Sequence, residues 1–353
     1  MTTHSQPAPG KPVVTSIGAL NRLLDIITGY CGAQAFLTAC KLGFFEQLSQ
    51  GPLTAKDLAQ RANIHPVGCR RLLVALAHLG LVEREGELYR NSELGHFCSS
   101  KSAVNLEALA GYGEPFYHMF EYLPDALQEY SPRWKQALGT TQEDVFGAMY
   151  EDPARLRQFA QFMNALSIPQ GQLIAERYDF TPHRCLMDVA GGPGGQAVQI
   201  GLKHPHLRGI ITDMAPVCEI AREYIRASGL SGRFTAVAAD LFEGPYSQGA
   251  DVILLGHILH DWNDDNCRKI LRNCSAALPA QGVLLVSEKV LEPDFSGTNF
   301  ALMKDLTMLV ACEPDARERT EAEYRSLLDD AGFELTKLIR LDAPRDLIVA
   351  QKK

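Results

Sequence analysis

The chain has 353 residues, room for two domains at roughly 100–200 residues each, and its 46% hydrophobic and 22% charged content is that of an ordinary globular protein. With 34 basic against 42 acidic residues its net charge is −8, which argues against nucleic acid as a main partner and against a polybasic membrane surface. Nine cysteines, an odd number with no CxxC pair, point to free, mostly buried thiols in a reducing compartment, and so to a cytoplasmic protein.

The N-terminal stretch is polar and proline-rich, lacks a charged-then-apolar signal layout, and reads as a flexible tail over 1–16. No apolar run is expected to reach the length of a membrane span, so no membrane partner is expected. Residues 17–48 carry apolar side chains at helical spacing. Thr54 with Asp57 resembles a capping box, a turn at Asn63–Pro66 leads to a second amphipathic helix over 67–79, and LVEREGELYRN reads as a short hairpin. Helix, turn, helix, hairpin is the order of a winged helix, so 17–102 is expected to form one domain. Residues 103–180 are again mostly helical and are expected to link the domains and supply pocket helices.

After Pro182 apolar strands alternate with amphipathic helices: CLMDVA, a helix over 194–203, RGIITDM, a helix over 217–227, FTAVAAD, DVILLG, a helix over 264–277, and GVLLVSEKV. A helix over 320–331 follows, with Thr320 and Glu323 as its capping box. FELTKLIRL and DLIVAQKK, joined by a short turn, must then pair antiparallel. Residues 181–353 are therefore expected to fold as an α/β domain with a mostly parallel, Rossmann-like sheet of seven strands.

The stretch LMDVAGGPGGQA is a strand, a glycine turn and a helix start. Gly192, Gly194 and Ala197 fit a dinucleotide-type turn, a pattern that is weak alone. Asp213 ends the next strand, where a carboxylate can accept from two ribose hydroxyls, and Asp240 ends the third, where one could accept from an adenine amine. Asp188 precedes the turn itself. NAD also needs a ribose acid, so Asp213 does not discriminate between cofactors.

DVILLG then runs into HILHDWNDDNC. His260 follows the fourth strand at the ligand edge of the sheet, a position for a general base; the bland alternative is a histidine capping the helix that opens at Asp264. A metal reading of His257, His260 and Cys267 lacks a compact second ligand pair, so no metal is expected. GEPFYHMFEYL, Phe159, Met163, Met303 and Met308 are candidate walls of an apolar pocket suited to a flat aromatic ring, or equally a core stripe.

From about residue 17 to the end the sequence resembles the S-adenosylmethionine-dependent O-methyltransferases of the caffeic-acid and acetylserotonin type, on the glycine turn, the acid at 240, LHDW, the SE strand end and RERT. The resemblance implies an N-terminal winged-helix domain that builds a homodimer. It implies that the turn around Gly191 and Gly192 holds the methionine part of S-adenosylmethionine, Asp213 its ribose, and Asp240 with Leu241 its adenine end. Ser167 and Met163 match a helix that covers the donor site, and Glu288 and Glu318 flank the base His260. Asp261 is assigned to positioning the acceptor or the loop, and Trp262 to a packing wall against adenine. The expected reaction is metal-independent methylation of a hydroxyl on a small aromatic metabolite. The chain departs from the family pattern at Ala190, where the first glycine of the turn stands, and at Gly256 and His257, where many relatives carry a basic residue. Two other readings stay open at this point: a winged-helix regulator with a metabolite-sensing domain, and an NAD-dependent oxidoreductase.

Overall fold

The computed structural model describes residues 16–102, 109–142, 144–244, 246–296, 299–341 and 344–353. The expected tail over 1–16 therefore lies, Ser16 apart, outside the described residues, as does part of the expected turn between the last two strands. The chain divides into two compact units, Met1–Ser99 and Ser100–Lys353, and the helical segment over 103–180 belongs with the second.

The first unit runs α1 (Ile17–Lys41), α2 (Phe44–Ser49), β1 (Leu53–Thr54), α3 (Ala55–Arg61), α4 (Pro66–His78), β2 (Val82–Glu85), β3 (Leu88–Asn91) and α5 (Glu93–His96). β2 and β3 form the hairpin and β1 adds to β3. Phe44, Phe45, Leu58, Leu73 and Leu76 are buried as a small core of this unit. At Thr54 the hydroxyl accepts from the Asp57 N–H and itself donates to Asp57 Oδ2, a side-chain cap in place of the reciprocal box. α1 corrects one expectation: its 25 residues are long and apolar enough, by length and composition, to cross a membrane. Its Ile17, Leu23, Ile26 and Ile27 are each more than half exposed. A helix whose apolar side is covered by another chain passes the same test.

The second unit opens with α6 (Leu109–Glu121), α7 (Leu123–Glu129), α8 (Trp134–Leu138), α9 (Val145–Tyr150) and α10 (Pro153–Arg177). Then come β4 (Cys185–Val189), α11 (Gly195–Lys203), β5 (Arg208–Asp213), α12 (Ala215–Ala227), β6 (Phe234–Ala238), β7 (Val252–Gly256), α13 (Asp264–Ala277), β8 (Val283–Glu288), β9 (Val290–Leu291), α14 (Asn299–Ala311), β10 (Arg319–Thr320), α15 (Glu321–Asp330), β11 (Phe333–Ile339) and β12 (Asp346–Lys352). The seven-stranded sheet has the order β11-β12-β8-β7-β4-β5-β6; β4 to β8 are parallel, and β12 pairs antiparallel with both β8 and β11. β4 and β7 are central and buried on both faces, and apart from Asp188 in β4 they are runs of apolar residues and a terminal glycine, as that burial requires. The strand order reverses between β4 and β7, the place where open parallel sheets leave a crevice at their carboxyl ends.

α10 and α11 approach closely because both carry glycine where they meet. A Cβ on Gly171 would lie 2.7 Å from Gln196 Cα, and one on Gly195 would lie 2.8 Å from Asn164 Oδ1 and Ser167 Cβ.

Candidate active site

The parallel registers bring Val189 level with Thr212 and Leu255, so the segments after β4, β5 and β7 emerge side by side into one cavity of about 360 Å³. One end is built by the glycine turn. Gly191 is required there, since a Cβ would sit 2.5 Å from the Asp188 carboxyl carbon. Asp188 is buried beneath the turn; burial pushes its carboxyl up to about 7, partly offset by the Ala197 N–H. Asp213 Oδ2 accepts the Gly192 N–H at 2.8 Å and Oδ1 accepts the Met214 N–H at 2.7 Å. Burial raises Asp213 to about 6 against those two hydrogen bonds. Asp240 stands two residues past β6 and accepts from the N–H groups of Phe242 and Glu243. Ala190 takes φ +53°, the left-handed backbone that glycine would adopt without strain.

Gly191, Gly192, Asp213, Asp240, Leu241, Trp262, Met163 and Ser167 all line this cavity. Trp262 packs edge-on against Phe242 at 4.7 Å and tilted against Phe146 at 5.8 Å. Gly256 makes room for a side chain: a Cβ there would lie 2.6 Å from Gln196 Nε2. The other end is apolar, with Phe116, Phe146, Met149, Phe159, Met308 and Ala311 on the wall. Met303 is a correction. It is 50% exposed and is not among the lining residues, because α14 turns Lys304 and Met308, four apart, toward the cavity and Met303 away from them.

His260 lies in a short 3₁₀ turn, Leu259–Asp261, and is 1% exposed. Its Nδ1 is 2.9 Å from Glu318 Oε1 and 3.4 Å from Glu288 Oε2, while Nε2 is 3.4 Å from Asp261 Oδ1 and has no hydrogen-bond partner. Glu288 Oε1 accepts the N–H groups of Ile258 at 2.7 Å and Leu259 at 2.8 Å, which ties the strand end to the turn that carries the histidine. Burial pulls the imidazole down, but Glu288, Glu318 and Asp261 outweigh it and leave His260 at about 9. His260, Glu288 and Glu318 do not line the cavity; Asp261, His257 and Ile258 do. Among the described residues these three side chains are the one His/Cys/Asp/Glu group whose donor atoms converge, all within 4.8 Å. The cap of α13 is Asn263, whose Oδ1 accepts the Asn266 N–H at 2.9 Å, so His260 is not the helix cap. Cys267 is spent on the carbonyl of Leu259 at 3.1 Å.

Sequence reasoning missed three groups. Arg319, fully buried, donates to the carbonyls of Leu259 and Trp262 and to Asp264 Oδ1, so it holds both ends of the HDW turn. The parallel bridge of β10 to β9, Arg319 beside Val290, is what sets Glu318 next to Glu288. Glu313 accepts the Asn263 N–H at 2.6 Å and pins the EPDARERT loop. The third, Lys304, was legible only as a charge inside the apolar stretch ALMKDLTML.

The donor set fits a cationic adenosyl sulfonium. Asp144, Asp213, Asp240 and Asp261 all line the cavity, Gly192 presents no side chain, and Met163 and Trp262 supply flat or adaptable apolar surface. The O-methyltransferase domain family matches residues 120–334, and the O-methyltransferase dimerisation domain matches residues 24–101. A 3-hydroxy-5-methyl-1-naphthoate 3-O-methyltransferase from Streptomyces sahachiroi is 33% identical over 91% of this chain and 92% of its own. Acetylserotonin O-methyltransferase from Gallus gallus is 31% identical over 92% of this chain and 95% of its own. Among solved structures, human N-acetylserotonin methyltransferase in complex with SAM superposes with a TM-score of 0.89 at 26% identity, over 97% of this chain and 99% of that one. These matches select the methyl-donor reading of the glycine turn over the dinucleotide and regulator readings.

Proposed function

The chain belongs to the S-adenosylmethionine-dependent O-methyltransferases, and from that premise we propose that it methylates a hydroxyl of a small aromatic metabolite, with His260 as the general base and no metal. The observation that carries this reading is the buried arrangement of His260, with Glu318 on Nδ1 and an unpartnered Nε2 beside the cavity-lining Asp261. S-adenosylmethionine supplies an already activated methyl group, which needs no Lewis acid. The chain's residues have to orient the acceptor and take its proton.

A phenol of pKa about 10 is scarcely ionised at neutral pH, so an adjacent base is needed. A neutral imidazole with Nδ1–H donated to Glu318 presents its lone pair at Nε2. Burial lowers its conjugate acid, but Glu288, Glu318 and Asp261 outweigh that and hold it near 9, so His260 is a stronger base than an ordinary histidine and acts through a neutral fraction that grows as pH rises. Asp261, which lines the cavity and has its Oδ1 3.4 Å from Nε2, marks where the hydroxyl would meet the imidazole. Glu288 and Glu318 act through His260, one fixing its loop and the other its ring. Gly191, Gly192, Asp213, Asp240, Leu241, Ser167 and Trp262 are assigned to the donor, and Phe159, Met163 and Met308 to the aromatic acceptor. A relative named for a hydroxynaphthoate supports an acceptor of that kind.

The exposed Leu24, Ile26, Ile27 and Tyr30 of α1 lie within the matched dimerisation domain, with Ile17, Leu20 and Leu23 just ahead of it, and are assigned to a second copy of the chain. All nine cysteines are free and eight are buried, in keeping with the cytoplasm. Calorimetric titration with S-adenosylhomocysteine, with NADH as control, followed by an acceptor screen of wild type and His260→Ala, tests the reading. Turnover of a hydroxylated aromatic that survives the substitution would remove the base.

A further inference from the structure

Resting on the methyl-transfer reading, we propose that His257 selects the acceptor, its imidazole donating to an oxygen on the ring carbon next to the hydroxyl that is methylated. The substrate class is then an ortho-oxygenated phenol, whether the second oxygen is a hydroxyl or a carbonyl. Among the described residues His257 is the one histidine that lines the cavity, while His260 stands behind the wall. The two rings meet edge to face at 84°, with their centroids 4.2 Å apart. Of residues 257–261, His257, Ile258 and Asp261 line the cavity. A hydroxyl that reaches Nε2 of His260 therefore passes beside the His257 ring, and so does whatever the neighbouring ring carbon bears.

His257 has a hydrogen bond to give there. Its Nδ1 is buried and has no hydrogen-bond partner, although the residue as a whole is partly exposed. An orphaned buried N–H is rarer and costlier than a buried lone pair, so the proton belongs on Nε2, which leaves Nε2–H to meet the acceptor. Burial, Arg345, His260 and Lys304 all push the ring well below the ordinary histidine pKa, which keeps it neutral with that one donor. Asp261, 3.4 Å from Nε2 of His260, is a carboxyl that when ionised only accepts, so the two sides of the base differ in what they offer a ring substituent. The backbone supports the same assignment. His257 directly follows β7 and takes φ +67°, while its N–H bonds the Ser287 carbonyl at 3.1 Å. Left-handed backbone is uncommon in a residue with a side chain, and it gathers at functional sites.

The test uses the full-length protein saturated with S-adenosylhomocysteine and titrated by calorimetry with 2,3-dihydroxynaphthalene and, separately, with 2-naphthol. Wild type is expected to bind the diol about tenfold more tightly, because the naphthol leaves the imidazole N–H without a partner. His257→Phe keeps a flat ring but not the N–H, and is expected to abolish the difference by weakening the diol. His257→Asn, which tolerates left-handed backbone and retains an N–H, is expected to keep part of the preference. Equal affinity for diol and naphthol in wild type overturns the proposal. So does a His257→Phe variant that keeps the full preference, and if it loses S-adenosylhomocysteine instead, His257 belongs to the donor. Binding of neither phenol to the loaded wild type also overturns it and leaves the methyl-donor reading standing. Failure of wild type to bind S-adenosylhomocysteine at all would instead remove the reading on which the proposal rests.

Discussion

Arg319 donates from Nη1 to the carbonyl of Leu259 at 2.7 Å, one residue ahead of His260 in the chain. The same guanidinium reaches Trp262 and Asp264, so a single planar fork spans the turn that presents the imidazole. Removing it takes the charged donor from two carbonyls and from Asp264 Oδ1, leaving Leu259 and Trp262 the weakly donating Cys267 thiol and Asp264 its second partner, Arg317. Arg319→Ala is expected to lower unfolding free energy by about 3 kcal/mol in urea denaturation, and Arg319→Lys to recover little of it. A loss below about 1 kcal/mol would show that the turn is held by other contacts.

The cluster around His260 gives a pH dependence of definite sign. The base must be neutral to act, so kcat/KM is expected to rise with pH toward about 9, and Glu318→Gln to move that limb to lower pH by removing one of the carboxylates that raise it. Stability runs the other way. A folded-state value near 9 against 6.5 for an ordinary histidine means that the protonated cluster stabilises the fold fully below about 6.5, and that this contribution is lost as pH rises through about 9. Thermal melts across that range should fall less steeply in His260→Gln. A rate limb near 6.5 in wild type would contradict the electrostatics.

His260→Ala separates binding from chemistry. Among its neighbours Asp261 and His257 line the cavity, but the glycine turn and Asp213 lie on other strand ends. Affinity for S-adenosylhomocysteine should stay within a few-fold, while kcat should fall by about 10²–10⁴. A drop in donor affinity of the same size would place His260 in donor binding.

Ala190 is held at φ +53° at the start of the glycine turn, a left-handed backbone that suits glycine. A left-handed alanine costs about 1–2 kcal/mol, and glycine gives back part of that through its freer unfolded chain. Ala190→Gly should raise stability by about 0.5–1 kcal/mol in equilibrium denaturation. No gain would mean that the alanine methyl makes compensating contacts with the core it packs against.

The α/β half was legible because β4, Asp188 apart, and β7 are apolar runs between amphipathic helices, and because Thr320 and Glu323 do form the reciprocal cap of α15. The strand-end acids Asp213 and Asp240 could be placed by counting strands. Arg319 could not, since its meaning depends on a two-residue bridge between β9 and β10 that joins distant parts of the chain. Met303 was misjudged, and Lys304 passed over, for a different reason. α14 is apolar nearly all round, so its sequence holds no contrast of polarity to say which side meets the cavity. The membrane-length character of α1 was overlooked because Asn21, Arg22 and Asp25 interrupt the apolar run without ending the helix.

The glycine contacts between α10 and α11 bear on how such an enzyme can change its substrate. α10 carries Phe159, Met163 and Ser167, while α11 starts at the turn assigned to the donor, and Gly171 against Gln196 leaves no slack between them. Gln196 is also wedged against Gly256 at the end of β7. Sliding α10 outward to admit a bulkier ring would drag the donor turn and the strand before His260 with it. Mutational drift toward new acceptors should therefore accumulate as side-chain exchanges on α6, α9 and α14, with the α10–α11 seam inherited unchanged.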